Sequence, residues 1–208
     1  MDFEYGMKYK GLNMEGEIHI GNGILKVQDI TKDFPEFMKE ADCVFVDFPG
    51  GQSPLNSYYT KANIDYRIEF GEFLEIAFKR IKEINPKYLF VETFKRNHSI
   101  VLEEVKKIYP CVKVYNSTYY HRGDYKCFII QGTYEEMDIG IEGMDEEDAV
   151  PVICEKVPFE CIGDICMGRG LVGRSAYKNH KRFVGTELNY KRLAVLVDWL
   201  IKEGEHIE

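Results

Sequence analysis

The chain has 208 residues, of which 45% are hydrophobic, so it can bury one sizeable core and a single domain is expected. Its formal net charge of -8 excludes a large basic surface that would bind phosphate backbones regardless of their sequence. Any contact with nucleic acid must therefore be local.

The cysteines and the N-terminus predict the compartment. The six cysteines form no CxxC pair, which favours a reducing environment. The N-terminus MDFEYGMKYK lacks the basic and apolar segments of a secretory signal, and no apolar run approaches membrane-spanning length. We therefore expect a cytoplasmic protein without a membrane partner.

The first ninety residues alternate short apolar strands with amphipathic helices, which is typical of an α/β fold with a mostly parallel sheet. Residues 24–30 (ILKVQDI) and 43–48 (CVFVDF) predict strands on either side of a short helix over 34–41. Residues 65–84 space their apolar side chains at helical intervals and predict a helix that packs on a sheet. A strand with the sequence KYLFVET follows this helix.

The next segment predicts a helix over residues 98–109 and then an antiparallel hairpin at the edge of the sheet. The hairpin strands are VKVYNSTYY and YKCFIIQG, around the loop HRGD. Three basic residues, His121, Arg122 and Lys126, lie near its tip. Such residues usually serve solubility, and contact with phosphates is the alternative.

Residues 134–150 carry many acidic side chains and no basic one, and no helix or strand period persists through them. We interpret residues 134–156 as an acidic connector between a first part, 1–133, and a second part, 157–208. A solvated surface loop is the simplest form for such a like-charge run.

The last fifty residues predict a cofactor-binding unit. A strand ends at Asp164, a turn contains Gly168 and Gly170, a short helix follows, and the strand KRFVGTE ends at Glu187. Glycines let a backbone approach a ligand closely, and a terminal acid accepts the two hydroxyl hydrogens of a ribose. Glycines at such a corner also serve backbone geometry alone. The charge of Asp164 would repel a pyrophosphate, which favours a nucleoside that carries a cationic group.

Two stretches resemble motifs of DNA amino-methyltransferases. GDICMGRGLVGRSAYKNHKRFVGTELN is similar to their S-adenosylmethionine motif, a strand, D-P-F-x-G-x-G-T, a helix and a strand ending in G-x-E. CVFVDFPG resembles their D-P-P-Y catalytic motif, in the order of members whose catalytic half comes first. The resemblance covers about residues 21–203 and implies a Rossmann-like S-adenosylmethionine methyltransferase fold, mostly parallel with an antiparallel edge hairpin. The single domain would comprise a catalytic half (1–133), the connector and a cofactor-binding half (157–208).

The resemblance also implies a cofactor site that needs no metal ion. S-adenosylmethionine would lie across five residues of the second half, Asp164, Cys166, Gly168, Gly170 and Glu187. Asp29 would lie near either the adenine or the methionine end of the cofactor.

The resemblance gives the first strand-end acid a catalytic role. An exocyclic amine is a poor nucleophile because its lone pair is delocalised into the base, and two fixed acceptors localise that lone pair. Asp47 and the backbone carbonyl of Phe48 would be these acceptors, and Pro49 restricts Phe48 to extended conformations. The alternative is that Asp47 caps a turn.

The sequence departs from the family pattern in three ways. Gly50 stands where the last aromatic of D-P-P-Y stacks on the flipped base. Tyr58 and Tyr59, in the apparent loop 50–63, are candidates for this stacking, although loop tyrosines more often pack or lie on the surface. A target-recognition region is absent between the halves, and EKVPFECIGD leaves little room for the usual helix before the glycine-rich strand.

These features predict an enzyme that methylates an exocyclic amino group of a nucleic-acid base, with adenine N6 in DNA as the first candidate. The chain would bind DNA weakly on its own, and a protein partner or homodimer is an open alternative. One alternative function is that of a non-catalytic methyltransferase-like subunit or scaffold. The other is a methyltransferase that acts on RNA, a protein amide or a small molecule.

Overall fold

The computed structural model describes residues 5–208, so the first four residues of the polar N-terminus lie outside the described part. The strands are β1 Glu17–Ile20, β2 Gly23–Val27, β3 Cys43–Asp47, β4 Tyr88–Thr93, β5 Cys111–Tyr119, β6 Arg122–Thr133, β7 Cys161–Asp164 and β8 Arg182–Glu187. The α-helices are α1 Gln52–Lys61, α2 Phe70–Ile84, α3 His98–Lys106, α4 Glu146–Lys156, α5 Leu171–Lys178 and α6 Tyr190–Lys202. A 3-10 helix spans Glu36–Glu40. None of the described helices is long and apolar enough to cross a membrane.

The eight strands form one sheet in the order β1-β2-β8-β7-β3-β4-β6-β5. The five central strands, β2, β8, β7, β3 and β4, run parallel to one another. The predicted hairpin β5-β6 lies antiparallel at one edge, as the sequence indicated. A second antiparallel strand, β1, lies at the other edge beside β2 and was not predicted. The carboxyl ends of the parallel strands therefore meet at one edge of the sheet.

Hydrophobic clusters cover both faces of this sheet. Strand β3 contributes Cys43 and Phe45 to one cluster and Val44 and Val46 to the other, because side chains alternate along a strand. Helices α4, α5 and α6 cover the first face, and α1, α2 and α3 cover the second. A sheet that is buried on both faces needs continuous apolar strands, as in the sequence CVFV.

The long amphipathic helix is confirmed with a later start. Helix α2 begins at Phe70, and its core-facing side chains recur at helical spacing: Phe73, Leu74, Ala77, Phe78, Ile81 and Ile84. Burial of each large side chain contributes about 1.5 to 3 kcal/mol. The helix ends at Ile84, and the next residue, Asn85, adopts the left-handed conformation with φ 55°.

The stretch 50–63 is not a loop. Residues Gln52–Lys61 form α1, with Leu55 and Tyr59 buried one turn apart. The serine, asparagine and proline content obscured this helix, but Pro54 lies in the first turn, where proline costs no hydrogen bond. Gly51 precedes the helix with φ 143° and ψ -170°, a conformation that other residues rarely adopt.

The acidic stretch is not a simple surface loop either. Ile139 and Ile141 are buried, and α4 begins inside the acidic run at Glu146. Asp145 caps this helix by accepting a hydrogen bond from the backbone N–H of Glu147. Acids in the first turn also interact favourably with the helix dipole. A helix therefore does precede the glycine-rich strand, and Pro151 within it had hidden it from the sequence pattern.

Candidate active site

Acidic side chains from distant parts of the sequence meet at the carboxyl edge of the parallel strands. Asp47, Asp164 and Glu187 end β3, β7 and β8, and Asp29 lies two residues beyond the end of β2. In the sheet, β4 lies on one side of β3, and β8 lies on the opposite side of β7. The strand order therefore changes direction between β3 and β7, and ligands of open α/β sheets bind at such a switch point. The structure thus brings together the four acids that the sequence singled out.

Two cavities open at this edge. The first has a volume of about 570 Å³, including its mouth, and its lining includes Asp29, Ile30, Pro49, Tyr58, Leu188 and Glu187. The second has a volume of about 870 Å³, and its lining includes Tyr119, Tyr120, Glu146, Gly168, Arg169 and Arg174. Asp47, Cys166 and Arg192 line both cavities. Asp47 therefore lies where the two cavities meet.

Glu187 fixes the glycine turn against the end of β8. Its Oε2 accepts a hydrogen bond of 2.7 Å from the N–H of Gly168, and Oε1 accepts one of 2.9 Å from the N–H of Asn189. Gly168 and Gly170 have φ values of 57° and 83°, which favour glycine. A Cβ on Gly170 would also lie only 2.6 Å from a carbon of Leu196. Backbone geometry alone therefore requires a glycine at position 170.

Arg192 is a site residue that the sequence analysis missed, because no motif marks it. Its guanidinium lies 4.9 Å from the Tyr58 ring centre, and Nε lies 4.0 Å from Glu187 Oε2. Nε is buried and has no hydrogen-bond partner among residues 5–208. Burial acts to lower the pKa of Arg192, but the charge of Glu187 and the neighbouring Tyr58 raise it overall. Arg192 therefore places a permanent positive charge among the acids.

Asp164 and Cys166 lie at the base of the site. Asp164 is buried, and its Oδ1 accepts a hydrogen bond of 2.9 Å from the N–H of Cys166. Burial raises the pKa of the Asp164 carboxyl well above its usual range. Burial and the charge of Asp164 also raise the pKa of the Cys166 thiol. A neutral thiol lines a cavity but is a poor nucleophile.

Asp29 is held by its neighbours at the end of β2. The N–H and hydroxyl of Thr31 donate to its Oδ1 at 2.9 and 2.7 Å. The hydroxyl of Tyr59 lies 3.1 Å from both carboxylate oxygens. Tyr59 is 2% exposed, so it packs inside and positions Asp29 instead of swinging over a substrate. Tyr58, on the same helix, lines the first cavity together with Tyr59.

One carboxylate oxygen of Asp47 is buried without a partner among the described residues. Its Oδ2 accepts a hydrogen bond of 3.1 Å from the Tyr119 hydroxyl, whereas Oδ1 is buried and has no partner in the described part of the chain. Burial raises the pKa of Asp47 from 3.8 to about 6, although the hydrogen bond from Tyr119 and the charge of Arg192 act to lower it. No backbone N–H within residues 5–208 donates to this carboxylate, so the structure gives the turn-cap interpretation no support.

The residues after Asp47 anchor the strand end. Phe48 is buried, and its ring lies 6.2 Å from that of Phe73 and 5.6 Å from that of Phe78. Pro49 lines the first cavity. The core packing of Phe48 fixes the position of this segment relative to α2.

An aromatic cluster, Phe94, Tyr119, Tyr120 and Tyr125, stands beside Gly50. A Cβ at Gly50 would lie 3.3 Å from the Phe94 ring, so a larger side chain there would have to displace Phe94. The Phe94 ring centre lies 5.3 Å from that of Tyr119, and the rings of Tyr119 and Tyr120 are 4.2 Å apart. Aromatic surface therefore comes from the β5-β6 hairpin and from Phe94, just after β4, instead of from position 50.

Glu92 and Glu146 are two further acids that the sequence analysis did not select. Glu92, in β4, is 0% exposed, and neither of its carboxylate oxygens has a hydrogen-bond partner among the described residues. Glu146, in the first turn of α4, is 4% exposed. One oxygen from each of Asp47, Glu92 and Glu146 lies within 4.8 Å of the others. The acid inside the apolar strand KYLFVET was the signal for Glu92, whereas the acidic run concealed Glu146.

At the hairpin tip, His121 lies beside acidic side chains. His121 Nε2 lies 3.2 Å from Glu147, and Nδ1 lies 3.6 Å from Asp145. The cations that border the second cavity are Arg169, Arg174 and Arg192. The Arg169 side chain also donates a hydrogen bond of 3.2 Å to the Tyr120 hydroxyl.

Comparison with known proteins identifies the fold. No protein-family model matches the sequence, and curated protein sequences give no significant match. Among solved structures, PvuII DNA methyltransferase (cytosine-N4-specific) superimposes with a TM-score of 0.58 and 12% identity, over 89% of each chain. TTHA0409 from Thermus thermophilus, complexed with S-adenosyl-L-methionine, gives 0.61 and 12%, over 86% of this chain and 93% of its own. The M1.HpyAVI-SAM complex gives 0.58 and 12%, over 86% and 98%.

The chain has the Rossmann-like fold of these methyltransferases. The fold class expected from the sequence is thereby confirmed. In this methyltransferase fold the central parallel strands carry the two cavities, and the β5-β6 hairpin forms the antiparallel edge.

Proposed function

We propose that the protein is a methyltransferase that uses S-adenosylmethionine to methylate an exocyclic amino group of a nucleic-acid base, with adenine N6 in DNA as the first candidate. One observation carries the proposal. Asp47 ends β3 where the two cavities meet, with one carboxylate oxygen held by Tyr119 and the other without a partner among the described residues. An unpartnered acceptor at that point suits an amine that must lose its planarity before it reacts.

The first cavity fits the adenosine part of this cofactor. Ile30 and Leu188 provide apolar walls, and Asp29, fixed by Tyr59, provides an acceptor for an amino group. Glu187 keeps unused lone pairs for ribose hydroxyls after its two backbone hydrogen bonds. The structural relatives M1.HpyAVI and TTHA0409 were both solved with this cofactor, which supports the assignment.

The charges at the centre of the site fit a cofactor that is a zwitterion. Asp47, where the two cavities meet, favours a positive sulfonium over a phosphate, and Asp164 lines the second cavity beside it. Arg192, whose Nε has no partner within residues 5–208, offers a donor to a carboxylate, the anionic group of the methionine part. Cys166, with a neutral thiol, would line the site between these charges.

The residues of the chain would prepare the amine in three ways. The Asp47 carboxylate and the Phe48 carbonyl accept the two amino hydrogens and localise the nitrogen lone pair. Tyr119 keeps Asp47 in one orientation, and Pro49 restricts the backbone that carries the second acceptor. When bound, the cofactor supplies an electrophilic methyl group. The aromatic cluster of Phe94, Tyr119, Tyr120 and Tyr125 would hold the base that Gly50 cannot stack on.

The net charge of -8 argues for weak DNA binding by the chain alone, with Arg169 and Arg174 as the local phosphate contacts. A protein partner or a second copy would then supply further affinity. Cytosine N4 is a second candidate target, because PvuII methyltransferase is specific for it. A non-catalytic scaffold is a further candidate, favoured by Gly50 in place of the stacking aromatic.

The test is methyl transfer from labelled cofactor to DNA, RNA and protein substrates. DNA duplexes that lack adenine or cytosine would identify the base. We expect label in DNA with the wild type and with Glu155→Gln, an exposed control on α4, and none with Asp47→Ala. Cofactor binding without transfer to any acceptor would replace this proposal with the scaffold function.

A further inference from the structure

The three carboxyl groups of Asp47, Glu92 and Glu146, here called the carboxyl cluster, form one physical unit. They come from β3, β4 and α4, and one oxygen of each lies within 4.8 Å of the others. Glu92 and Glu146 are 0% and 4% exposed. Three negative charges at this separation, away from water, repel each other strongly. The cluster therefore requires protons or a cation to remain folded.

The free oxygens of the cluster point to the same requirement. Both oxygens of Glu92 and Oδ1 of Asp47 are buried, and no group among the described residues donates a hydrogen bond to them. A buried carboxylate that accepts no hydrogen bond carries a large desolvation cost. A proton on Glu92 removes this cost, because the protonated carboxyl donates a hydrogen bond to a neighbouring carboxylate.

The groups around the cluster favour bound protons over full ionisation of its three carboxyl groups. The titratable groups that face the cluster are Tyr58 on α1, Tyr119 on β5, Cys127 on β6, Asp145 and Glu147 beside Glu146, Asp164 and Cys166 at the end of β7, and Arg192 on α6. Burial, followed by the charge of Asp47, raises the pKa of Glu92 well above its usual range. Burial also raises the pKa of Glu146 to about 7.

We propose that Glu92 holds a proton at neutral pH, that Asp47, Glu92 and Glu146 share protons as one cluster, and that this cluster receives the proton lost by the methylated amine. The second part rests on the proposed function. As the amine lone pair forms the new C–N bond, the electron pair of the broken C–S bond stays on sulfur. The N–H proton passes to Asp47, and Glu146, which lines the second cavity, returns a proton to solvent. Glu92 is a positioning residue that touches neither cofactor nor substrate.

The first test needs no cofactor or substrate, so it stands even if methyl transfer is never observed. Infrared spectra of the ligand-free protein at pH 7 should contain the carbonyl stretch of a protonated carboxyl group that shifts in D₂O. We expect this band in the wild type and in Glu155→Gln, its loss from the difference spectrum between wild type and Glu92→Gln, and a changed frequency in Glu146→Gln. A band from Asp164, whose burial also raises the pKa of its carboxyl group, is common to all these proteins and cancels in the difference. Circular dichroism would verify that each variant is folded.

Two results, one from the infrared spectra and one from a separate metal-binding measurement, would overturn the proposal. One is a wild-type spectrum without the band, or a difference spectrum between wild type and Glu92→Gln in which no such band is lost. The other is stoichiometric binding of Mn²⁺ by the wild type, measured by electron paramagnetic resonance and lost in Glu92→Gln. The cluster would then be a cation site, because carboxylate oxygens also bind hard divalent ions.

The second test addresses the proton transfer itself. In multiple-turnover methylation, Glu146→Gln should lower kcat at least about tenfold, the lower range of general acid–base effects, without raising the cofactor KM. The pH dependence of kcat should change in Glu92→Gln and stay as in the wild type in Glu155→Gln. A purely structural role of Glu92 predicts an unchanged pH profile, and that outcome would refute the relay.

Discussion

Replacing Asp47 with asparagine should stabilise the protein at alkaline pH. Raising the pKa of Asp47 from 3.8 to about 6 corresponds, at about 1.4 kcal/mol per tenfold change in proton affinity, to about 3 kcal/mol of lost stability once the carboxyl is ionised. Asparagine has nearly the same shape, accepts the hydrogen bond from Tyr119 and carries no charge. The neutral side chain also removes the charge of Asp47, which contributes to the raised pKa of Glu92 and of Glu146.

The sign of the effect follows from proton binding. Between about pH 4 and pH 6 the folded protein keeps a proton on Asp47 that the unfolded chain releases, so the wild type loses stability as the pH rises. Above about pH 6 the full cost is present, and below about pH 4 it is absent. The advantage of Asp47→Asn should therefore grow from pH 4 to pH 8.

Urea unfolding of both proteins at pH 4, 6 and 8 measures this difference directly. At pH 8 the variant should be more stable by up to about 3 kcal/mol, or by about 6 to 12 °C in Tm for a chain of this length. Its methyl-transfer activity should fall at the same time, because catalytic residues often lower the stability of the folded protein. A variant that is no more stable than the wild type at pH 8, or that differs equally at all three pH values, would refute this reasoning.

Three sets of substitutions test other parts of the site. Gly170→Ala should lower the free energy of unfolding by at least about 1 to 2 kcal/mol in urea titrations, since its φ of 83° and the 2.6 Å contact leave no room for a side chain. Tyr59→Phe should lower the free energy of unfolding by about 1.5 to 3 kcal/mol, the contribution of a hydrogen bond to a charged group. It should also weaken cofactor binding, because Asp29 is no longer held in place. Unchanged stability and affinity would contradict the positioning role of Tyr59. Neutralising Arg169 and Arg174 together should reduce the slope of log DNA affinity against log salt by about two, and an unaltered slope would remove them from the interface.

The strand-end acids could be predicted because their positions depend on the residues that immediately precede them in the sequence. Asp47, Asp164 and Glu187 each follow a short apolar run that can only be a buried strand, and parallel strands bring such ends to one edge. Asp29 was found in the same way, although its strand ends earlier, at Val27. The mostly parallel sheet followed from the same alternation of strands and helices.

The missed parts depend on contacts between elements that no local pattern records. Helix α1 has few apolar residues, and it is held largely by Leu55 and Tyr59 packing under the sheet edge. Glu146 is indistinguishable in sequence from the exposed acids around it, and only the docking of α4 beside β5 buries it. Arg192 reaches the site because α6 begins immediately beyond the end of β8.

The most direct measurement is calorimetric titration of the protein with S-adenosylmethionine and S-adenosylhomocysteine. We predict saturable binding of both to the wild type and to Glu155→Gln. In Glu187→Gln, which keeps one acceptor oxygen but loses the charge, affinity should fall by about 1.5 to 3 kcal/mol, or roughly ten- to a hundredfold. Absence of binding to the folded wild type, or equal affinity in Glu187→Gln, would contradict the account of the site.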